Sequence, residues 1–86
     1  MNNNEFLSIV DEVEKESPEA LNLLKDFALL NPKGISEKLY SDIESNKLNN
    51  ILDLLEKKGL IERQIEEKKF TIEIEIQNKI MDLLEG

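Results

Sequence analysis

The side chains able to do chemistry in this chain are carboxylates, lysines, serines and asparagines, because its 86 residues include no histidine and no cysteine. An imidazole general base, a reactive thiolate and a thiolate–imidazole metal site are therefore excluded. Three serines, Ser17, Ser36 and Ser45, precede runs of helical periodicity. We interpret them as helix caps rather than nucleophiles, since a hydroxyl there accepts from the free amides of a first turn. No glycine-rich phosphate loop is present either, so neither enzymatic activity nor a cofactor is expected.

Carboxylates outnumber cationic side chains, 19 against 11, and give a formal net charge of −8. Two pairs, Glu12 with Glu16 and Glu73 with Glu75, have spacings that could hold a divalent cation. A solvated acidic surface explains both pairs more simply. No metal site is therefore predicted.

The elements that must position these side chains begin with a helical region. Apolar residues recur at helical spacing in four segments, 5–16, 18–30, 37–43 and 46–58. Pro18 follows the Ser17 cap at the first helical position, where its missing N–H costs nothing. Gly59 is expected to end the fourth helix by adopting a positive φ.

After Gly59 the hydrophobic period changes from helical to alternating. Residues 60–65 and 70–76 are predicted to be two strands, joined by a turn at 66–69, and residues 77–85 a last short helix. The predicted fold class is mostly α with a small antiparallel β-hairpin (α+β). No apolar run approaches the ~18 residues of a membrane span, and the start lacks a signal-peptide pattern. We therefore expect a cytoplasmic protein with no membrane partner.

Two stretches resemble the winged helix-turn-helix superfamily. Residues 35–39 (ISEKL) match the opening of its helix-turn-helix, and residues 48–63 (LNNILDLLEKKGLIER) match a recognition helix leading into a wing. The resemblance covers residues 17–76. It implies a winged helix-turn-helix at 17–76 with an extra N-terminal helix at 1–16 and a C-terminal helix at 77–86.

If the family's roles carry over, the 46–58 helix enters the major groove of double-stranded DNA and the 66–69 wing tip contacts the backbone. Asparagine amides can pair bidentately with adenine, and lysines bind phosphates. The residues expected to bind DNA are Lys33, Lys38, Asn46, Lys47, Asn49, Asn50, Lys57, Lys68 and Lys69. This helix face has no arginine and includes Asp53, which phosphates would repel.

Both terminal helices carry a narrow apolar stripe that could form a homodimer or fold back onto its own domain. The residues concerned are Phe6, Ile9, Val10, Val13, Ile80, Leu83 and Leu84. We favour the dimer, because it would double the DNA contacts and match two half-sites.

Two functions from different classes remain open. The chain could be a small DNA-binding transcription regulator, the interpretation we prefer, or a winged-helix module that binds a protein instead of DNA. Residues 31–59 carry no net charge, whereas residues 1–30 carry −5 and residues 60–86 carry −3. The neutral middle segment favours DNA binding, and the overall acidity favours a protein partner.

Overall fold

Residues 2–30 and 34–85 are described by the computed structural model. The helices and strands are α1 (Asn3–Glu16), α2 (Pro18–Ala28), β1 (Ile35–Ser36), α3 (Ser45–Lys57), β2 (Glu62–Gln64), β3 (Lys69–Thr71) and α4 (Ile74–Glu85). A first 3₁₀ turn spans Glu37–Tyr40 and a second spans Ile65–Glu67. The described chain is mostly helical with a small antiparallel sheet, so the predicted α+β class is confirmed.

Side-chain caps account for where several of these helical elements begin. The Ser17 hydroxyl accepts from the Ala20 amide at 3.2 Å and starts α2, with Pro18 at its first position. The Ser36 hydroxyl caps the first 3₁₀ turn in the same way. The cap role expected of Ser45 is wrong, because α3 already includes Ser45 and its cap residue, Glu44, makes no side-chain cap hydrogen bond. The helix predicted for 37–43 is a 3₁₀ turn that ends at Tyr40.

The sheet has three strands, one more than predicted, with β3 in the centre and the order β1-β3-β2. Both pairings are antiparallel, and Phe70 of β3 lies between Ile35 of β1 and Arg63 of β2. Strand β1 could not be found from periodicity, because two residues are too few to show alternation. The hairpin turn contains the second 3₁₀ turn and Lys68, which is left-handed at φ 53°.

The predicted strand at 70–76 is wrong beyond Thr71, since α4 begins at Ile74. A strand would turn Ile72, Ile74 and Ile76 to one face, yet Ile74 is 59% exposed and the other two are buried. In the helix, Ile76 and Ile80 are four residues apart and share one buried face. The alternation of Ile and Glu therefore fits a helix start as well as a strand.

Gln77 of α4 joins the start of that helix to the end of α2. Its side-chain amide nitrogen donates to the carbonyl oxygens of Ala28 at 2.9 Å and Leu30 at 3.5 Å. Carbonyls at a helix C-terminus have no partner inside the helix. The end of α2 therefore obtains its hydrogen bonds from α4 rather than from water alone.

One apolar core draws on all four helices and on the sheet. At its centre the Phe27 ring of α2 contacts Phe70 of β3, with ring centroids 4.5 Å apart, and meets Tyr40 edge-on at 5.3 Å. Phe6 of α1 and Ile80 of α4 belong to the same buried cluster. Within the described residues no helix combines the length and the apolarity needed to cross a membrane.

Gly59 ends α3 with a positive φ of 78°, as its position in the sequence predicts. A Cβ placed there would meet no atom within 4 Å, so backbone conformation alone opposes a side chain. We expect Gly59→Ala to lower the free energy of unfolding by about 1 kcal/mol, measured by urea denaturation. Gly34→Ala is the control, since that site has the same space and no positive φ. Equal effects of the two substitutions would contradict this account.

Candidate nucleic-acid interface

Helix α3 separates an apolar face from a polar one. Its buried residues are Leu48, Ile51, Leu52 and Leu55. The opposite face is exposed and includes the predicted DNA-binding residues Asn46, Asn49, Asn50 and Lys57, together with Asp53. Burial of the leucine face therefore fixes the rotation of the helix and turns the amides and carboxylate outward.

A shallow groove of about 410 Å³ runs beside the N-terminal half of α3. Among its lining residues are Lys38 from the first 3₁₀ turn, Asn49 from α3 and Lys68 from the hairpin turn. A hydrogen bond of 2.9 Å from the Glu37 amide to the Lys68 carbonyl holds the two turns together. Three of the predicted residues, distant in sequence, are thus brought to one groove.

The remaining predicted lysines are distributed differently. Lys69 on β3 and Lys57 near the end of α3 are exposed but do not line this groove. Lys47, together with Asn50, lines a second groove with Glu16 and Glu19. Lys33 lies outside the described residues.

Lys47 is paired with an acidic side chain, which the sequence did not indicate. Its ammonium lies 2.8 Å from a carboxylate oxygen of Glu19. That hydrogen bond and the charge of Glu19 raise the pKa of Lys47. A phosphate would have to compete with Glu19 for this cation, so Lys47 is a poorer candidate for DNA contact than Lys38 or Lys68.

Arg63 of β2 is the chain's one arginine and the main residue that sequence reasoning missed. Only 7% of its side chain is exposed. Nη1 donates to Asp53 Oδ1 at 2.6 Å, and Nη2 donates to Asn49 Oδ1 at 3.1 Å and to Glu37 Oε2 at 3.5 Å. Its backbone amide donates to a Glu56 carboxylate oxygen at 3.1 Å. The guanidinium therefore connects β2 to α3 and to the first 3₁₀ turn.

We call Arg63 and its partners Asn49, Asp53 and Glu37 the Arg63 cluster. This cluster changes the electrostatics of the α3 face. The sequence predicts that DNA phosphates would repel Asp53, but Arg63 pairs with this carboxylate and compensates its charge. Glu37, whose side chain is 15% exposed, is paired with the same guanidinium. Arg63 Nε has no hydrogen-bond partner among the described residues, so the bonding of this side chain is concentrated at its outer nitrogens.

The second predicted interface, on the terminal helices, is largely used inside the chain. Phe6, Val13 and Ile80 are 2%, 0% and 1% exposed, so they cannot contact another copy without opening the core. Ile9 and Val10 are partly buried against that core. The two predicted dimer residues that remain exposed are Leu83 and Leu84, at 36% and 43%. Leu83 lines a groove between α1 and α4 that also includes the exposed Leu7.

Comparison with known proteins finds no relative of this chain. No family model matches the chain, and no curated protein or solved structure is significantly similar to it. Among the described residues, no three Asp or Glu side chains are grouped so as to hold a metal ion. The α3 face and its groove are therefore interpreted from their own geometry.

Tyr40 lines the groove, and burial together with the charge of Asp26 raises its pKa above 10.0. It is the chain's one tyrosine, and there is no tryptophan, so phenolate absorbance reports on this side chain alone. We expect a titration midpoint above 10.0 in the folded protein and about 10 in concentrated urea. Because Tyr40 ionises at a lower pH in the unfolded state than in the folded state, the free energy of unfolding should fall as the pH rises past about 10.

Asp26→Asn should lower the folded-state midpoint of Tyr40, since it removes one of the two causes of the shift. Asp82→Asn on α4 makes the same change of charge elsewhere and should leave the midpoint where it is. A folded protein whose tyrosine titrates as it does in urea would contradict the described burial.

Replacing Arg63 tests the cluster. Arg63→Met should lower the free energy of unfolding by about 2 kcal/mol, because Glu37 then stays largely buried without its cation. Arg63→Lys keeps the charge but cannot bridge Asn49, Asp53 and Glu37 at once, and about half that loss is expected. Urea denaturation measures both. In the Glu37→Gln background Arg63→Met should lower the free energy of unfolding by less. An equal loss in the wild-type and Glu37→Gln backgrounds would show that the Arg63–Glu37 pair contributes nothing to stability.

Proposed function

We propose that this chain is a small winged helix-turn-helix protein that binds double-stranded DNA, in the manner of a transcription regulator. In this proposal α3 is the recognition helix and enters the major groove, while the wing tip at residues 66–69 follows the backbone. The proposal includes a cytoplasmic location, alongside the chromosome. It requires no cofactor and no catalytic residue.

The observation that carries the proposal is the joint position of Lys38, Asn49 and Lys68 along one groove. A base-reading amide flanked by two cations from other elements matches what a duplex presents, base edges between two lines of phosphate. Within the described residues neither lysine forms an ion pair with an acidic side chain. Both cations are therefore available to phosphates.

The order of elements supports the same interpretation. The first 3₁₀ turn, α3 and a hairpin follow one another where the resemblance in the sequence implies a short helix, a recognition helix and a wing. The hydrogen bond between Glu37 and Lys68 keeps the turn and the hairpin tip beside α3. Because lysines rather than arginines supply the exposed charge and the whole chain is acidic, we expect weak and strongly salt-dependent binding.

A homodimer would compensate for weak binding by doubling the DNA contacts. We propose that the contact is made through Leu83 and Leu84 of α4, with Leu7 of α1 in the same groove as Leu83, because these residues remain exposed after the core has formed. Their exposure supports self-association through a smaller surface than the two full apolar stripes would provide.

A second candidate function is the binding of a protein partner through the same face. It is favoured by Leu39 and Ile65, which are 62% and 71% exposed. They lie in the two 3₁₀ turns that the bond between Glu37 and Lys68 connects. Large apolar side chains at such a place are more typical of a protein interface than of a phosphate-binding surface.

DNA binding is tested by fluorescence anisotropy on a labelled duplex over a series of salt concentrations. The wild-type chain should bind at low salt and lose affinity steadily as salt rises. Lys68→Glu should weaken binding and reduce the magnitude of the salt slope by about 1, because it removes a phosphate contact. Lys15→Glu is the matched control, since it makes the same charge change on an α1 side chain that is 77% exposed.

Equal effects of Lys68→Glu and Lys15→Glu would mean that net charge rather than the groove governs binding. No binding to any duplex at low salt would exclude the DNA proposal and favour the protein-binding candidate. In that case Leu39→Ser and Ile65→Ser are the substitutions expected to release a partner.

A further inference from the structure

The contact between Arg63 and Asn49 fixes which way the Asn49 amide points. A guanidinium has only N–H donors, so the atom of Asn49 that faces it must be the amide oxygen. That oxygen, Oδ1, accepts from Arg63 Nη2 at 3.1 Å. The amide nitrogen, Nδ2, is therefore the end of Asn49 that is left for a ligand.

An amide held in this way cannot read adenine as a free asparagine does. Bidentate pairing with adenine uses both ends of the amide, the oxygen accepting from N6 and the nitrogen donating to N7. Because Oδ1 faces the guanidinium and Arg63 occupies one of its two lone pairs, the amide presents its Nδ2 donor outward. Guanine offers two acceptors, O6 and N7, in the major groove, and suits this orientation better.

Arg63 also holds the next polar residue on the same face. Asp53 follows Asn49 by four residues, one helical turn along α3, and its Oδ1 accepts from Nη1 at 2.6 Å. Its side chain is still 66% exposed, so the second carboxylate oxygen remains available as an acceptor. The usual major-groove pairing of a carboxylate is with the N4 donor of cytosine.

The other two asparagines of the face are not held. In the described part of the chain no side-chain hydrogen bond fixes Asn46 or Asn50. Their amides can rotate to suit any base. Any preference imposed by the protein before DNA arrives therefore comes from Asn49 and Asp53, and both are oriented by one buried guanidinium.

We propose that Arg63 is a positioning residue that sets the base preference of α3. By presenting a donor at Asn49 and an acceptor at Asp53, it favours G·C pairs over A·T pairs in the major groove. The inference rests on the proposed DNA binding. It also replaces the adenine pairing expected of Asn49 from the sequence.

The experiment compares two duplexes of equal length that differ only in the major groove. One contains inosine·cytosine pairs and the other adenine·uracil pairs. Inosine keeps the O6 and N7 acceptors of guanine but lacks its minor-groove amino group, and uracil lacks the thymine methyl. Anisotropy at one salt concentration gives the ratio of the two dissociation constants, in which the phosphate contribution largely cancels.

The wild-type chain should bind the inosine·cytosine duplex about fivefold more tightly than the adenine·uracil duplex. Arg63→Met should reduce that ratio toward one, because the freed Asn49 amide can rotate and pair with adenine. Asn49→Asp is the sharper variant, since it keeps shape and an oxygen for Arg63 but presents an acceptor in place of the outward donor. It should abolish the preference even if Arg63→Met does not fold.

The matched control is Asn46→Asp, which makes the same chemical change on the same helix at a residue that Arg63 does not hold. It should weaken binding to both duplexes without lowering the ratio. In the free protein, Arg63→Lys should shift the side-chain amide resonances of Asn49 and leave those of Asn46 in place. This measurement tests the positioning without DNA.

The outcomes separate the inference from the function on which it rests. If neither duplex binds at low salt, the proposed DNA binding fails and the base preference fails with it. If both bind equally, or the adenine·uracil duplex binds more tightly, DNA binding stands and the role of Arg63 is overturned. That role is also overturned if Asn46→Asp and Asn49→Asp change the ratio alike.

Discussion

The contact between Phe27 and Phe70 is the interaction on which the rest of the structure depends. It joins α2 to the central strand β3, and its ring centroids lie 4.5 Å apart. A sheet of two- and three-residue strands has no stability of its own, so it persists because this aromatic pair covers it with a helix. The strands then place the hairpin tip beside the first 3₁₀ turn, where the groove forms. Surface geometry at Lys38 and Lys68 is thus a consequence of apolar packing in the interior.

Arg63 illustrates how a structural interaction and the proposed recognition role can coincide. A buried guanidinium needs partners because unpaired charge is costly in the interior, and it obtains them from α3 and the first 3₁₀ turn. The same bonds orient the polar side chains that α3 presents outward. Stability and base preference are therefore expected to change together at this residue, whereas at Asn49 they can be separated.

Local signals were enough to predict part of the fold. The Ser17 cap, Pro18 and the positive φ of Gly59 each act within one helical turn, and all three are confirmed. Strand β1 depends on pairing with residues more than thirty positions away, so it was not visible in the sequence. The last helix was predicted at 77–85, but its first turn was not, because the alternating Ile and Glu residues before Gln77 fit a strand equally well. The partners of Arg63 lie 10, 14 and 26 residues away. The exposed face of α3 was therefore predictable from the sequence, but the buried Arg63 side chain that orients its polar residues was not.

The two outer strands of the sheet limit how anything can attach to it. Strand β1 is two residues long and leads directly into a 3₁₀ turn, and β2 is three residues long with exposed Glu62 and Gln64. An extended peptide or a second sheet would find only a few backbone groups to pair with at either edge, and charged side chains discourage such pairing. The sheet is therefore protected from edge-to-edge aggregation. We therefore expect any partner to bind through side chains rather than by adding a strand.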